Sequence, residues 1–348
     1  MTQPDVTIRG AGIFGLAIAH ACARRGARVR VVDPGGPGAG ASGGIVGALA
    51  PHTPENWNEK KAFQFDSLIM AGSFWDEVEH RSGRPSGYGR LGRLQPVDGD
   101  RALALADERA QGAARLWQGL ACWQVIAADD AGDWAPLSPS GRLIRDTLSA
   151  RLHPAQACAA LAAAVTAQGG SIVPDAEPAT GRPEVWATGH AGLLALSAET
   201  GRPVGTGVKG QAALLRLDRR GAPQLFAGGL HVVPHSDGTV AIGSTSERDY
   251  DDPAATDGQL DDVLARARAA VPALGGAPVI GRWAGVRPRA RSRAPMLGPH
   301  PTRAGVFIAN GGFKIGFGMA PKVAEVMADL VLDGRDVIPA GFRVEDNL

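Results

Sequence analysis

The strongest constraint on this chain lies in its first thirty-three residues. Gly10-Ala11-Gly12-Ile13-Phe14-Gly15 fits the spacing Gly-x-Gly-x-x-Gly, at the point where a β-like run, Val6 to Ile8, gives way to a helical pattern. Ile13, Leu16, Ala17 and Ala21 make an apolar stripe over Ile13–Arg25, and Gly26 stops it. Arg28 to Val32 is β-branched and ends on Asp33, completing a β-α-β unit and the start of a parallel sheet. In such a loop Gly10 permits the turn, Gly12 lets a pyrophosphate approach the backbone, and Gly15 packs helix on strand. The helix N-terminus then presents free N–H groups to the phosphates. Asp33 can accept from a ribose 2′-hydroxyl and would repel a 2′-phosphate, which disfavours NADP and leaves NAD and FAD both open.

At 348 residues the chain has room for two domains of ordinary size, roughly 100–200 residues each. A formal net charge of +1 gives no field to attract nucleic acid or an anionic membrane. Cys22, Cys122 and Cys158 are too few and too scattered for a disulfide framework, and Cys22 and Cys158 read as small buried hydrophobes in alanine-rich helices. The sequence shows no signal-peptide pattern and no apolar run of the ~18 residues a membrane span needs, so a cytoplasmic location is expected.

Further along, Lys60–Arg81, Arg101–Leu120 and Pro154–Gln168 read as helices, with Leu91–Val97 as a strand between the first two. Pro154 starts the third helix and Gly169-Gly170 ends it. Ile172-Val173 and Val185–Ala187 read as short strands of the cofactor domain. From Val208 the pattern changes: Val208–Leu217, Leu225–Val233 and Thr239–Gly243 are successive strands that call for antiparallel pairing. Asp257 caps a helix carrying Leu260, Val263, Leu264 and Ala267. Val279–Val286 and Val306–Ala309 read as strands, and Lys322–Leu332 as a closing helix.

Several segments resemble the family of FAD-dependent amine and amino-acid oxidoreductases that includes the D-amino acid, sarcosine and glycine oxidases, the last being the nearest in pattern. Besides the opening loop, Gly40-Ala41-Ser42-Gly43-Gly44-Ile45-Val46-Gly47 resembles the family's second flavin loop. Val208-Lys209-Gly210-Gln211, His231–Pro234 through Ile242–Thr245, Trp283-Ala284-Gly285-Val286-Arg287-Pro288, Pro295–Gly298 and Gly311–Pro321 are similar to later segments, in the family's order. The resemblance implies FAD and a mixed α/β plus α+β fold, a Rossmann-like FAD-binding domain interleaved with an antiparallel-sheet substrate domain. The expected FAD-binding domain comprises residues 1–72, 141–205 and 295–348, and the substrate domain 73–140 and 206–294. Expected cofactor contacts are Gly10, Gly12, Ile13, Phe14, Gly15, Asp33, Ser42, Gly43, Gly47, Gly189, Gly285, Arg287, Gly312, Lys314, Ile315 and Gly316. A helix starting near Pro321 is expected to offer N–H groups to the flavin.

The resemblance also implies hydride transfer from an amine-bearing carbon to the flavin, hydrolysis of the resulting imine, and delivery of the electrons to oxygen or another acceptor. Arg287, after a strand and before Pro288, matches the arginine that holds the substrate carboxylate through a bidentate pair. Arg289, Arg291 and Arg293 read as solvated loop charges. The chain departs from the family at two places: His231 stands where a tyrosine is usual, and Lys314 where glycine oxidases carry a second arginine. Arg287, Lys314 and His231 are therefore the expected catalytic set for a small carboxylate-bearing amine or amino acid, with glycine itself in doubt. His231 has a second reading, on a solvent face with its ring satisfied by backbone, and His52 near the second loop is open between ring and surface. The other histidines, His153 and His235 among them, show no pairing in sequence that points to a metal, and no metal site is expected.

Three rival readings stand beside this one: a tRNA wobble-uridine modifying oxidoreductase, a flavin-binding subunit without turnover in a larger complex, and an NAD-dependent dehydrogenase. The near-zero net charge argues against the first. Self-association is left open.

Overall fold

The computed structural model describes residues 3–178 and 181–348. The opening unit forms as expected: β1 (Val6–Arg9) and β2 (Val29–Val32) pair in parallel, Val6 opposite Val29, around α1 (Ile13–Arg24). After a 3-10 turn at Ala41–Gly43 come β3 (Ala48–Leu49) and a long α2 (Glu59–Ser82). Asn58 caps α2 by accepting from the Lys61 N–H, and Gly83 in the left-handed region ends it. The chain continues through β4 (Arg93–Pro96), α3 (Asp100–Leu116), β5 (Trp123–Ala127), β6 (Arg142–Asp146), β7 (Ala150–Arg151), α4 (Pro154–Ala167), β8 (Ser171–Val173), β9 (Glu184–Trp186) and α5 (Gly189–Thr200). Then follow β10 (Gly205–Arg216), β11 (Gln224–Ala227), β12 (Leu230–Pro234), β13 (Thr239–Gly243), α6 (Gly258–Ala270), β14 (Val279–Ala290), β15 (Met296–Pro299), β16 (Val306–Asn310) and α7 (Gly316–Asp333).

Two large sheets result. One has the order β15-β16-β9-β1-β2-β8 and is parallel apart from β15. The other has the order β14-β10-β13-β12-β11-β4-β6-β5 and is antiparallel apart from the β11–β4 contact. This is the mixed architecture expected. α1 is buried along almost its whole length and packs against α4 and α7, which carry the core of the parallel side. α6 covers one face of the antiparallel sheet, placing Leu260, Val263 and Leu264 on Leu225, Val232, Val240 and Ile242. No helix among the described residues is long and apolar enough to cross a membrane.

Several elements differ from expectation, each for a local reason. The run Leu225–Val233 is two strands, because Gly228 and Gly229 both take positive φ and turn the chain back on itself. β14 does not stop at Val286 but runs through Pro288 to Ala290, so Arg287 lies within a strand and not after one. Pro288 is tolerated because β14 is the edge strand of its sheet. α7 begins at Gly316 and not near Pro321, which sits inside it. Arg142–Asp146, expected on the cofactor side, forms β6 of the antiparallel sheet, and the boundary drawn at residue 72 falls in the middle of α2.

Candidate active site

Between the two sheets lies a cavity of about 970 Å3, walled at one end by Gly10, Gly12 and Asp33 and at the other by His231, Arg287 and Lys314. The first end follows directly from the glycine spacing. Gly10 has φ +105°, and a Cβ there would come within 2.3 Å of the Ala187 carbonyl oxygen. A Cβ on Gly15 would come within 1.9 Å of the Gly10 carbonyl oxygen, so Gly15 sets the closeness of α1 to β1 and stands behind the cavity wall. Asp33 ties the loop together: Oδ2 accepts from the Ala11 N–H at 2.7 Å and Oδ1 from the Gly35 N–H at 2.9 Å. Each carboxylate oxygen keeps a second acceptor position for a sugar hydroxyl.

The second loop is locked to the first. Ser42 Oγ accepts from the Ile13 N–H at 3.0 Å, one of the α1 N–H groups without a partner inside the helix. Gly12, Ile13, Phe14, Ser42 and Gly47 all line the cavity, while Gly43 packs behind it on Gly38.

The far end is built by strand register. Side chains alternate along a strand, so residues opposite one another share a face. β12 places His231 opposite Gly243, β13 places Gly243 opposite Ala212, and β14 places Trp283 opposite Ala212. His231, Trp283, Gly285 and Arg287 therefore project from the sheet face that α6 does not cover, and His231, Trp283 and Arg287 line the cavity. Gly285 does not line it, because the Trp283 ring lies over it: a Cβ there would be 2.5 Å from Cζ2. The same ring reaches Gly44 of the second loop and so joins the two halves. Trp283 went unassigned in the sequence although it belongs to the motif that carries Arg287.

Arg287 donates from Nη2 to Ser244 Oγ at 2.9 Å, and Nη1 faces the Thr245 carbonyl oxygen at 3.5 Å. Burial pushes its pKa down to about 10, offset by the more distant Glu247 carboxylate. That carboxylate is already engaged: it faces Lys209 Nζ at 3.5 Å and accepts from Gln211 Nε2 at 3.1 Å and from the Thr245 hydroxyl. Among the described residues, neither Arg287 nor Lys314 has an ion-pair partner. Lys314 follows Phe313, whose N–H is held by the Pro288 carbonyl at 3.0 Å, so the end of β14 delivers both cations to one place. Burial, and then the charge of Arg287, lowers the Lys314 pKa.

His231 is not on a solvent face. Its ring stands 4.9 Å from that of Phe226, its Nδ1 is buried without a hydrogen-bond partner, and burial pushes its pKa down to about 4. It is a neutral imidazole at ordinary pH, and the positive charge of this end comes from Arg287 and Lys314. Gly189, Gly312 and Gly316 also line the cavity, whereas Ile315 turns into the core. His52 is exposed and outside the cavity. Arg289 lies over the Phe313 ring at 5.8 Å and is not simply solvated. His153 and His235, which show no metal-ligand spacing in sequence, stand together with Asp237 at a separate point of the fold.

The cavity fits a flavin dinucleotide: helix N–H groups and Asp33 at one end, close-packed glycine backbone and Trp283 at the other, in one continuous space. Residues 5–330 match the model of the family described as FAD dependent oxidoreductase (DAO). A glycine oxidase of Geobacillus kaustophilus is 28% identical over 94% of this chain and 92% of its own length. The crystal structure of glycine oxidase from the same organism superposes with a TM-score of 0.83, at 22% identity, over 99% of both chains. A tRNA 5-methylaminomethyl-2-thiouridine biosynthesis bifunctional protein of Polaromonas naphthalenivorans is 29% identical over 92% of this chain but only 55% of its own length.

Proposed function

The chain belongs to the FAD dependent oxidoreductase (DAO) family, and on that premise we propose that it oxidises the C–N bond of a small carboxylate-bearing amine or amino acid. Its cofactor is FAD, and it is an enzyme. The substrate reading rests on one observation: Arg287 is a largely enclosed guanidinium held by a hydroxyl and a carbonyl, with no carboxylate of the described residues upon it. A buried charge of this kind is costly unless a partner arrives. A substrate carboxylate supplies the partner, and a planar guanidinium holds it in a fixed direction.

Gly10, Gly12, the first turn of α1, Asp33 and Ser42 would hold the adenosine-diphosphate half, and Gly47, Trp283, Gly312 and Gly316 would border the ring. Residues 1–72, 141–205 and 295–348, less β6, would form the cofactor side, and 73–140 with 206–294 the substrate side. When bound, FAD supplies the two-electron acceptor. The chain's part is orientation: Arg287 fixes the carboxylate, and Lys314 adds a second positive charge that favours an anionic substrate. His231, kept neutral by its enclosure, borders this end as an uncharged polar group and leaves the positive charge to Arg287 and Lys314. Loss of two electrons and two protons from the neutral amine gives an imine, which water converts to a carbonyl compound and ammonia or an amine.

The test is an anaerobic screen in which glycine, D-amino acids, N-methylglycine, N-carboxymethyl amino acids and, beside them, simple amines without a carboxylate are each added to the purified protein. Bleaching of the flavin bands by one of these supports the reading; bleaching only by amines without a carboxylate overturns it. The tRNA reading finds no support in the +1 net charge.

A further inference from the structure

Away from the dinucleotide cavity, the turn between β12 and β13 meets the start of α4. Three residues converge there: His153, the N-cap residue of α4, and His235 and Asp237 of the turn. One ligand-capable atom from each lies within 4.8 Å of the other two. The imidazole rings stand 4.6 Å apart.

Hydrogen bonding settles which atoms are available. The Thr239 hydroxyl donates to Asp237 Oδ1 at 2.7 Å, so toward His235 Nδ1, 3.1 Å away, it can only accept. Nδ1 of His235 therefore carries the proton, and Nε2 is a bare lone pair. That Nε2 and His153 Nδ1 are both buried and make no hydrogen bond of normal geometry among the described residues, with the Ile45 carbonyl near the His235 ring. Buried polar atoms without partners are rare, and two in one cluster call for an explanation. Carboxylate, hydroxyl and imidazole are linked as in the outer shell that orients metal-bound histidines.

We propose that His153 Nδ1, His235 Nε2 and a carboxylate oxygen of Asp237 bind one divalent transition ion, zinc(II) in the first instance, as a clip between the β12–β13 turn and α4. Two imidazoles and one carboxylate select zinc-like ions over magnesium and calcium, which prefer oxygen. Zinc–ligand bonds of about 2.0–2.2 Å require ligand atoms now within 4.8 Å of one another to draw together by about 1 Å, with side-chain rotation bringing the named nitrogens into place. Asp237 is exposed and leaves a path for the ion. The Arg151 guanidinium, held on the Gly87 and Arg220 carbonyls, opposes a cation here, and the Asp237 charge offsets it. α4 packs on the Ala41–Gly43 turn that carries Ser42, so the clip would stiffen the loop that closes on α1.

This inference does not depend on the substrate assigned above, and its test needs no turnover. Untagged, flavin-loaded protein stripped with a chelator is titrated with Zn2+ by calorimetry, and with Co2+ while its ligand-field absorption is followed beyond the flavin bands. One equivalent of Zn2+ should bind and raise the melting temperature. Asp237→Asn and His235→Ala should each weaken binding by more than about tenfold, and Thr239→Val, which removes the outer hydroxyl, by about tenfold to a hundredfold. Asp237→Asn keeps an acceptor for Thr239, so it carries the test if His235→Ala loses flavin. Absence of stoichiometric binding in the wild-type protein, or unchanged affinity in Asp237→Asn, overturns the proposal.

Discussion

The guanidinium of Arg287 occupies the space that a side chain on Gly210 would take: a Cβ at 210 would come within 1.7 Å of Nη1. Gly210 on β10 lies opposite Gly285 on β14, diagonal to Arg287 on the shared face, so the small residue on one strand makes room for the guanidinium on the next. A methyl group there would meet only the far end of a flexible side chain. Gly210→Ala should therefore fold and retain FAD while displacing the guanidinium from Ser244. A loss of about 1–3 kcal/mol, the range for spoiling a charged hydrogen bond, would raise KM for carboxylate-bearing amines about 5- to 150-fold. Steady-state kinetics at equal flavin content decide it, and an unchanged KM would separate Gly210 from substrate binding.

Asp33 joins the dinucleotide loop to the end of β2 through the Ala11 and Gly35 N–H groups. Asp33→Ala leaves both donors without that acceptor and removes the acceptor proposed for the ribose. We expect FAD binding to weaken by roughly 1–3 kcal/mol, or about 5- to 150-fold, with a smaller loss in Asp33→Asn, which keeps one acceptor oxygen. Fluorescence titration of apoprotein with FAD reads this directly; equal affinity in Asp33→Ala would remove its role.

The first half of the cofactor site was legible in the sequence because its residues are local. Gly10, Gly15 and Asp33 act through turns and neighbouring strands that a short stretch of chain determines. The proposed substrate end was legible only in part, since His231, Trp283 and Arg287 share a face through the register of β12, β13, β10 and β14. Pro288 hid the last turns of β14, because a proline looks like a strand end unless the strand is known to lie at an edge. Gly316 and Gly318 hid the first turn of α7, whose helicity comes from packing on α1 and α2 and not from propensity. α5 was missed for the same reason: it opens on Gly189, and Thr188 makes no side-chain cap. The meeting of His153 with His235 depends wholly on tertiary structure.

His20 is buried on α1 against Phe74, with Nδ1 2.9 Å from Gln168 Nε2, and burial lowers its pKa from 6.5 to about 4. Between those two values the unfolded chain holds a proton that the folded chain does not, so stability falls as pH drops through this window. The cost at the acid end is on the order of 3 kcal/mol. His20→Gln should flatten the dependence of melting temperature on pH between about 4 and 6.5. Parallel profiles for the variant and the wild type would show that His20 is not the group responsible.

Lys314 keeps an exposed side chain beside Arg287, and partial desolvation and that charge lower its pKa below the ordinary 10.5. Its positive charge is present at low pH and is lost as pH rises through the lowered value. KM for an anionic substrate should therefore rise on an alkaline limb that begins below the usual lysine range. Lys314→Met should show a higher KM at neutral pH and lack that limb; a limb that persists in the variant belongs to another group.

The central claim is that Arg287 holds a substrate carboxylate at the flavin end of the cavity. The direct measurement is anaerobic titration of wild-type and Arg287→Ala proteins, matched for bound FAD, with the best amine from the screen while flavin absorbance is followed. Losing a buried charged partner costs about 2–4 kcal/mol, so the concentration for half-bleaching should rise roughly 30- to 900-fold in the variant while FAD stays bound. Superimposable titration curves for the two proteins would contradict the account.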